Sequence, residues 1–306
     1  DTDASTQEVF VAENSLAAGD DAPHHRVKRF SPAGACLGRF GAPQGRQDGP
    51  YRAQDFWNIT DIVCDGAGGF LVAEPKCPPR RVARFSRSGE LVMEFFGALP
   101  YGTGCTPEPD NPRTVWYGTG SGAVRAEVDV ENQSWRVLET YFHALRTHEL
   151  VGGFSGTKIY RAKGRTYIAT FKKSNSLLLY DPEAKRLRPV YTLGHQYLDY
   201  KGWVVPERFR DDKPKFRIRT GYVWCDEDAD GRAVREELRL FNAWRAGGPG
   251  GRILHVGEDL TLYYANGKRL APASVTSAGV PIYAPETADS FLDGYFRGLF
   301  QDADGH

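Results

Sequence analysis

Two segments near the N-terminus carry the same sequence pattern. Residues 70–97 read FLVAEPKCPPRRVARFSRSGELVMEFFG, and residues 10–41 read FVAENSLAAGDDAPHHRVKRFSPAGACLGRFG. Each contains an apolar strand that ends in Val-Ala-Glu, a variable loop, the pattern Arg-Val-x-Arg-Phe-Ser, a turn and a strand that ends in Phe-Gly. A repeat of this size is one supersecondary unit that cannot bury its apolar face alone, so the pattern predicts stacked copies.

Strand-like alternation and turn clusters continue along the rest of the chain, without long helical periodicity. The predicted units are residues 297–306 together with 1–41, and then 55–97, 111–141, 156–194, 216–245 and 251–284. Repeated units of about 40–50 residues with four short strands each are typical of β-propellers. We therefore predict an all-β fold in which residues 1–306 form a single six-bladed propeller of four-stranded antiparallel blades.

The two chain ends predict how such a ring closes. Residues 299–306 (LFQDADGH) are similar to a first strand and its turn, and residues 1–13 are similar to a turn and a second strand. Sharing one blade between the ends would remove both open sheet edges, so we expect a closed ring. The alternative is a segment of a longer repeat array.

The repeat residues also resemble the NHL-repeat family of β-propellers. The matching stretches in the second copy are a turn, two inner strands and an outer strand, at Asp65-Gly-Ala-Gly68, Phe70-Leu-Val-Ala-Glu74, Arg81-Val-Ala-Arg-Phe85 and Glu94-Phe-Phe-Gly97. The resemblance is strongest over residues 9–97 and partial over 150–195, and Glu stands twice where the family has Asp. It implies a propeller scaffold, a fold that hosts many functions.

Composition excludes some partners. The 306 residues contain 39 basic and 39 acidic side chains without a long run of either sign, which argues against a nucleic-acid surface. No apolar run approaches the roughly 20 residues of a membrane-spanning helix, so we expect no membrane insertion. We expect a monomer, or part of a larger chain, that binds an as yet unknown protein or carbohydrate ligand.

One loop carries a metal-binding pattern. Residues 226–237 fit D-x-D-x-D-G-x₅-E at every defined position, and strand-like segments flank them on both sides. Ca²⁺ prefers six to eight oxygen ligands, which alternating carboxylates around a sharp Gly turn can supply. The predicted ligands are the side chains of Asp226, Asp228, Asp230 and Glu237 and the backbone carbonyl of Arg232. The flanking strands argue against a helical EF-hand, so we expect a structural Ca²⁺; the alternative is a solvated acidic turn.

Catalytic motifs are few. The chain has no H-E-x-x-H, G-x-S-x-G or Cys-x-x-Cys pattern. A propeller lactonase or lyase could still assemble a metal or acid/base site at its channel, where Glu13, Glu74, Asn58 and His148 are the candidates. We prefer a structural interpretation of the two glutamates, as strand-end carboxylates bonded to backbone or to an arginine. The recurring Arg26 and Arg81 are expected to bridge blades.

The five cysteines leave one unpaired in any intrachain scheme. Cys36 and Cys64 are predicted to be buried thiols. A Cys77–Cys105 disulfide between two blade connections would indicate an oxidising compartment, and two free thiols are the alternative. The predicted function is a non-catalytic, calcium-stabilised binding or scaffold module located outside the cytoplasm (periplasmic or secreted); the alternative is the channel enzyme.

Overall fold

The computed structural model describes most of the chain. The described residues are 1–14, 25–75, 78–97, 105–118, 122–142, 148–151, 155–171, 174–195, 197–198, 202–203, 205–210, 220–242 and 252–294. The predicted closing strand at 299–306 and Cys77, one of the two cysteines of the predicted disulfide, lie outside these residues.

Strands dominate the described part of the chain. The first twelve are β1 (Val9–Asn14), β2 (His25–Phe30), β3 (Cys36–Phe40), β4 (Gly49–Pro50), β5 (Asp61–Cys64), β6 (Phe70–Glu74), β7 (Arg81–Phe85), β8 (Leu91–Phe96), β9 (Cys105–Glu108), β10 (Asn111–Gly118), β11 (Ala123–Asp129) and β12 (Ser134–Tyr141). The next eight are β13 (Ser155–Ala162), β14 (Arg165–Phe171), β15 (Ser174–Asp181), β16 (Arg186–His195), β17 (Tyr197–Leu198), β18 (Gly202–Trp203), β19 (Thr220–Cys225) and β20 (Leu238–Asn242). The last six are β21 (Ile253–Val256), β22 (Leu262–Tyr264), β23 (Lys268–Leu270), β24 (Pro272–Val275), β25 (Pro281–Tyr283) and β26 (Asp289–Ser290).

Short 3-10 turns at Glu207–Phe209 and Pro285–Thr287 are the helical elements. No helix in the described ranges is long and apolar enough to cross a membrane. The prediction of an all-β protein is confirmed.

Every strand pairing in the described residues is antiparallel, as meanders require. The sheet orders are β1-β2-β3, β5-β6-β7-β8, β4-β12-β11-β10-β9, β13-β14-β15-β16-β19-β20 and β21-β22-β23-β26, with two-stranded pairs β17-β18 and β24-β25. The first two sheets are the two copies of the repeat. The third gains a strand, β9, that the sequence pattern did not indicate.

The repeated Glu and Arg face each other across the same pair of strands in both copies. Glu13 is the register partner of Arg26 between β1 and β2, and Glu74 is the partner of Arg81 between β6 and β7. Because the repeat preserves this cross-strand pair, its carboxylate is held by a charge-assisted bond in each copy. The structural interpretation of the two glutamates is confirmed.

The predicted fourth and fifth units share one sheet. Strand β16 of the 156–194 unit pairs with β19 of the 216–245 unit over five residues, from Tyr191 opposite Cys225 to His195 opposite Gly221. The two predicted blades are thus joined by hydrogen bonds into six strands, rather than separated at this boundary.

Buried clusters lie between successive sheets. Phe10 and Val27 of the first sheet pack with Phe70 and Phe85 of the second. Further clusters join the second sheet to the β4–β12 sheet, that sheet to the six-stranded sheet, and the six-stranded sheet to β21–β25. Each sheet therefore buries its apolar face against the next one along the chain, as the repeat predicts.

Candidate metal centre

The loop between β19 and β20 brings three carboxyl groups together. Oxygen atoms of Asp226, Asp228 and Glu237 all lie within 4.8 Å of one another. Asp226 and Glu237 are buried, and Asp228 is exposed. Within the described residues, this is the one group of three acidic, histidine or cysteine side chains with such spacing. The flanking strands, Thr220–Cys225 and Leu238–Asn242, are those expected from the sequence.

Hydrogen bonds within the loop fix its shape. The Asp226 Oδ1 atom accepts from the Gly231 amide at 2.8 Å, and Asp228 Oδ1 accepts from the Asp230 amide at 3.1 Å. Gly231 has φ +76°, a left-handed conformation that glycine adopts without the Cβ penalty. The carboxylates therefore hold the turn with one oxygen and leave others for a ligand.

The side chain of Asp230 helps to form the turn of the loop. The Asp230 carboxylate accepts the Arg232 amide at 2.6 Å, and it is not among the three groups that converge. The structure thus places three of the four predicted carboxylates together and leaves Asp230 as a turn-forming residue.

Buried polar contacts hold Glu237. The Trp224 indole Nε1 donates to its Oε2 at 2.8 Å, and the Asp228 amide donates to its Oε1 at 3.3 Å. Burial raises the pKa of Glu237 above its ordinary value, partly offset by these two donors. The indole fixes the rotamer of the carboxylate that closes the loop.

Burial also acts on Asp226, which has no exposed surface. Burial raises its pKa to about 6, with the Gly231 amide and Arg188 lowering it and the neighbouring Glu237 and Asp228 raising it further. Its Oδ2 atom accepts no hydrogen bond from any described residue. A buried, partly uncompensated oxygen beside two other carboxylates favours a cation.

Arg188 of β16 is the residue that sequence reasoning missed. Its Nη1 lies 3.2 Å from Asp226 Oδ2 and donates to the Ala229 carbonyl. Arg188 lies on a strand of the preceding unit, and nothing in its local pattern RLRP indicates a contact with the loop. Only the β16–β19 pairing brings it there.

Together these residues offer only oxygen ligands, and hydrogen bonds from backbone amides hold the loop in its shape. Hard cations such as Ca²⁺ are bound by such sets, whereas Zn²⁺ and softer metals prefer nitrogen and sulfur. The backbone carbonyl of Arg232 sits in the same loop, next to Gly231.

The residues considered for a channel enzyme are engaged elsewhere. Glu74 has no exposed surface and binds both Arg46 and Arg81. Glu13 pairs with Arg26 and Lys28. These two carboxylates are committed to arginine or lysine partners in the structure.

Asn58 and His148 have structural contacts as well. The Asn58 backbone N–H donates to Nδ1 of the buried His25 ring at 3.2 Å. The His148 ring packs on Trp224 with centroids 4.6 Å apart, and its Nδ1 accepts from the Leu150 and Val151 amides. Burial lowers the pKa of His148 to about 4. No hydrogen bond or ion pair between described residues joins His148 to Glu13, Glu74 or Asn58.

Another sequence prediction needs correction: Cys36 is exposed and Cys64 is half-buried, whereas we predicted two buried thiols. Arg81 pairs with Glu74 and Glu94 of its own sheet. It also donates to the Tyr51 hydroxyl and to the Ala53 and Asp55 carbonyls, which lie outside that sheet and next to β4 of the third sheet. Cys105 is exposed, and its predicted partner Cys77 lies outside the described residues.

No family model matches the chain, and no curated protein matches it in sequence. Among solved structures, similarity extends to the periplasmic gluconolactonase PpgL of Pseudomonas aeruginosa, at 13% identity over 96% of this chain and 70% of that chain, with TM-score 0.30. A functionally unknown protein from Desulfotomaculum acetoxidans DSM 771 has 13% identity over 79% of this chain and 67% of that one, with TM-score 0.23. A luciferin-regenerating enzyme has 11% identity over 79% and 90%, with TM-score 0.26. Superpositions this loose carry no argument about the function of this chain.

Proposed function

We propose that residues 226–237 bind one structural Ca²⁺ and that the chain is a calcium-stabilised β-propeller module. The observation that carries the calcium proposal is the convergence of Asp226, Asp228 and Glu237 within 4.8 Å, at positions 1, 3 and 12 of the loop pattern. The ion would be held by these carboxylates and by the carbonyl of Arg232. It would tie the end of β19 to the start of β20.

The propeller part of the proposal is supported by packing rather than by similarity to known structures. Successive antiparallel meanders bury their faces against each other in chain order, which is how propeller blades stack. Six blades and closure of the ring through residues 299–306 remain part of the proposal, as does the relationship to NHL repeats.

The proposed role is a non-catalytic binding or scaffold module for a protein or carbohydrate ligand outside the cytoplasm. What supports it is the engagement of Glu13 and Glu74 in ion pairs and of Asn58 and His148 in backbone contacts. An extracellular or periplasmic setting would keep a structural calcium loop filled. Hydrolysis of an aldonolactone by the purified protein, lost in a Glu74→Gln variant that circular dichroism shows to be folded, would overturn the non-catalytic proposal.

Calcium binding is tested by calorimetric titration and by thermal unfolding with EDTA or with excess CaCl₂. Binding to the native state alone raises stability by about 2.7 kcal/mol at a hundredfold excess over Kd. We expect Asp228→Ala to abolish both the heat and the stabilisation, because it removes an exposed loop ligand without opening the core.

The matched control is Glu236→Gln. Glu236 is exposed in the same loop, at a position that supplies no ligand, so this variant removes the same charge and should keep the calcium response. Identical unfolding of the wild-type protein in EDTA and in CaCl₂, with no binding heat, would overturn the proposal.

A further inference from the structure

A basic cleft of about 690 Å³ lies beside the metal loop. Its lining comes from the β13–β14 turn, the β15–β16 turn, strand β16, Ala229 of the loop and Ala278 of the β24–β25 turn. Five basic side chains line it, against the acidic Asp181 and Glu183; they are Arg161, which forms a salt bridge with Asp110 at 2.6 Å, Lys163, Arg165, Arg186 and Arg188. Since the whole chain has no net charge, this is a local excess of positive charge.

The two acidic lining residues cancel only part of this excess, since five basic side chains stand against two carboxylates. Asp181 Oδ1 accepts from the Glu183 amide at 3.0 Å and from the Ala184 amide at 2.9 Å, which closes the β15–β16 turn. These backbone donors, that of Ala184 first, lower the pKa of Asp181, as do the nearby Arg186 and Arg165. Asp181 therefore stays ionised and attracts two of the basic side chains of the cleft.

Two of the basic side chains form no hydrogen bond or salt bridge with other described residues. Lys163 and Arg186 are exposed, and within the described residues neither side chain donates a hydrogen bond or forms a salt bridge. They approach the cleft from two different turns. An anion in the cleft would therefore gain two cations without breaking a salt bridge between described residues, although it would compete with Asp181 for Arg186.

Two others are fixed at its walls. The Arg165 side chain packs closely on Gly279, since a Cβ added to that glycine would lie 2.6 Å from Arg165 Cδ. The Arg165 Nη2 atom donates to the Ser277 carbonyl at 2.9 Å. Arg188 is held by Asp226 and Ala229. These contacts orient both guanidinium groups before a ligand arrives.

We propose that this cleft binds a small phosphorylated molecule. Guanidinium groups present planar donors that match phosphate oxygens, and several convergent cations suit a ligand with more than one negative charge. The volume lies in the range of small-molecule sites, so it admits an organic portion beyond the phosphate. The site goes beyond the proposed calcium-stabilised scaffold and does not require the metal.

The test is calorimetric titration with inorganic pyrophosphate in EDTA, at fixed ionic strength, so that calcium takes no part. We expect saturable binding that is at least about tenfold weaker in the double variant Lys163→Glu/Arg186→Glu, a loss of about 1.4 kcal/mol. Arg165→Gln keeps a donor for Ser277 and removes one charge, so it should weaken binding less. Arg39→Glu, an exposed arginine on β3 outside the cleft lining, should leave binding unchanged.

Three results would overturn the proposal. They are no binding of pyrophosphate by the wild-type protein, equal binding by the double variant with an unchanged melting temperature, and binding of sulfate as tight as that of pyrophosphate. Because calcium is absent from this titration, its failure is distinguishable from failure of the calcium proposal.

Discussion

Arg188 and Asp226 form an ion pair between strand β16 and the first residue of the metal loop, with Nη1 3.2 Å from Oδ2. Asp226 has no exposed surface, and the Arg188 side chain is 12% exposed. One guanidinium therefore balances part of the charge of the loop and also lines the basic cleft. The two proposed sites share a residue.

This sharing predicts linkage between the two ligands. Calcium would take over the charge of Asp226 and release Arg188 toward the cleft, so saturating CaCl₂ should lower the Kd of glycerol phosphate by about fivefold, and glycerol phosphate should tighten calcium by the same factor. This monoester is the probe because pyrophosphate itself chelates Ca²⁺. Arg188→Gln should abolish the linkage while each ligand still binds. Calorimetry of each ligand in the presence of the other measures the factor, and equal linkage in the variant would contradict this assignment.

A second prediction concerns the turn at Gly231. Alanine there would be forced to φ +76°, at a cost of about 1–2 kcal/mol, and its Cβ would lie 3.3 Å from Arg188 Cγ. We expect Gly231→Ala to lower both stability and calcium affinity. Gly34→Ala has a similar φ of +83° with nothing within 4 Å, so it should cost stability alone. Urea unfolding and calcium titration separate the two effects, and unchanged calcium affinity in Gly231→Ala would count against a role of this turn.

The two repeat glutamates should differ in energy despite their equivalent sequence positions. Glu74 has no exposed surface and binds Arg46 and Arg81, so Glu74→Gln leaves buried positive charge uncompensated and should cost about 3–5 kcal/mol. Glu13 is 26% exposed, so Glu13→Gln should cost less than about 1 kcal/mol. Urea unfolding of both variants measures the difference. Similar losses would show that burial is not the deciding factor.

His148 gives a prediction about pH. The folded protein holds the pKa of His148 at about 4, below the unfolded value of 6.5, because the ring is buried against Trp224. Between pH 6.5 and 4 the unfolded chain binds more protons at this residue than the folded protein does. Protonation of His148 therefore lowers the free energy of unfolding as pH falls, by up to about 3 kcal/mol. His148→Asn retains an acceptor for the Leu150 and Val151 amides and should flatten the pH dependence in that window. An unchanged slope of unfolding free energy against pH would refute this.

The strands of the repeat could be predicted because their alternation is local. Val-Ala-Glu and Arg-Val-x-Arg-Phe place their apolar side chains on one face, and β1, β2, β6 and β7 follow the predicted segments. The metal loop could also be predicted from the sequence, because its candidate ligands lie within twelve consecutive residues. Asp226, Asp228 and Glu237 do converge in the structure.

Contacts between units could not be predicted in the same way. The pairing of β16 with β19 and the position of Arg188 depend on how distant segments stack, which no local period encodes. The exposure of Cys36 also depends on what packs against β3, which the residue itself does not indicate. The basic cleft likewise collects residues from separate turns.

The β16–β19 pairing has a consequence for how the molecule opens. Strands β13, β14, β15, β16, β19 and β20 pair side by side in one sheet, so these six strands should exchange their amide hydrogens as one cooperative unit. A ligand that tightens the β19–β20 hairpin would then slow amide exchange in β14 and β15, strands that it never touches. A more stable β19–β20 hairpin would therefore stabilise the neighbouring repeat as well as the repeat to which it belongs.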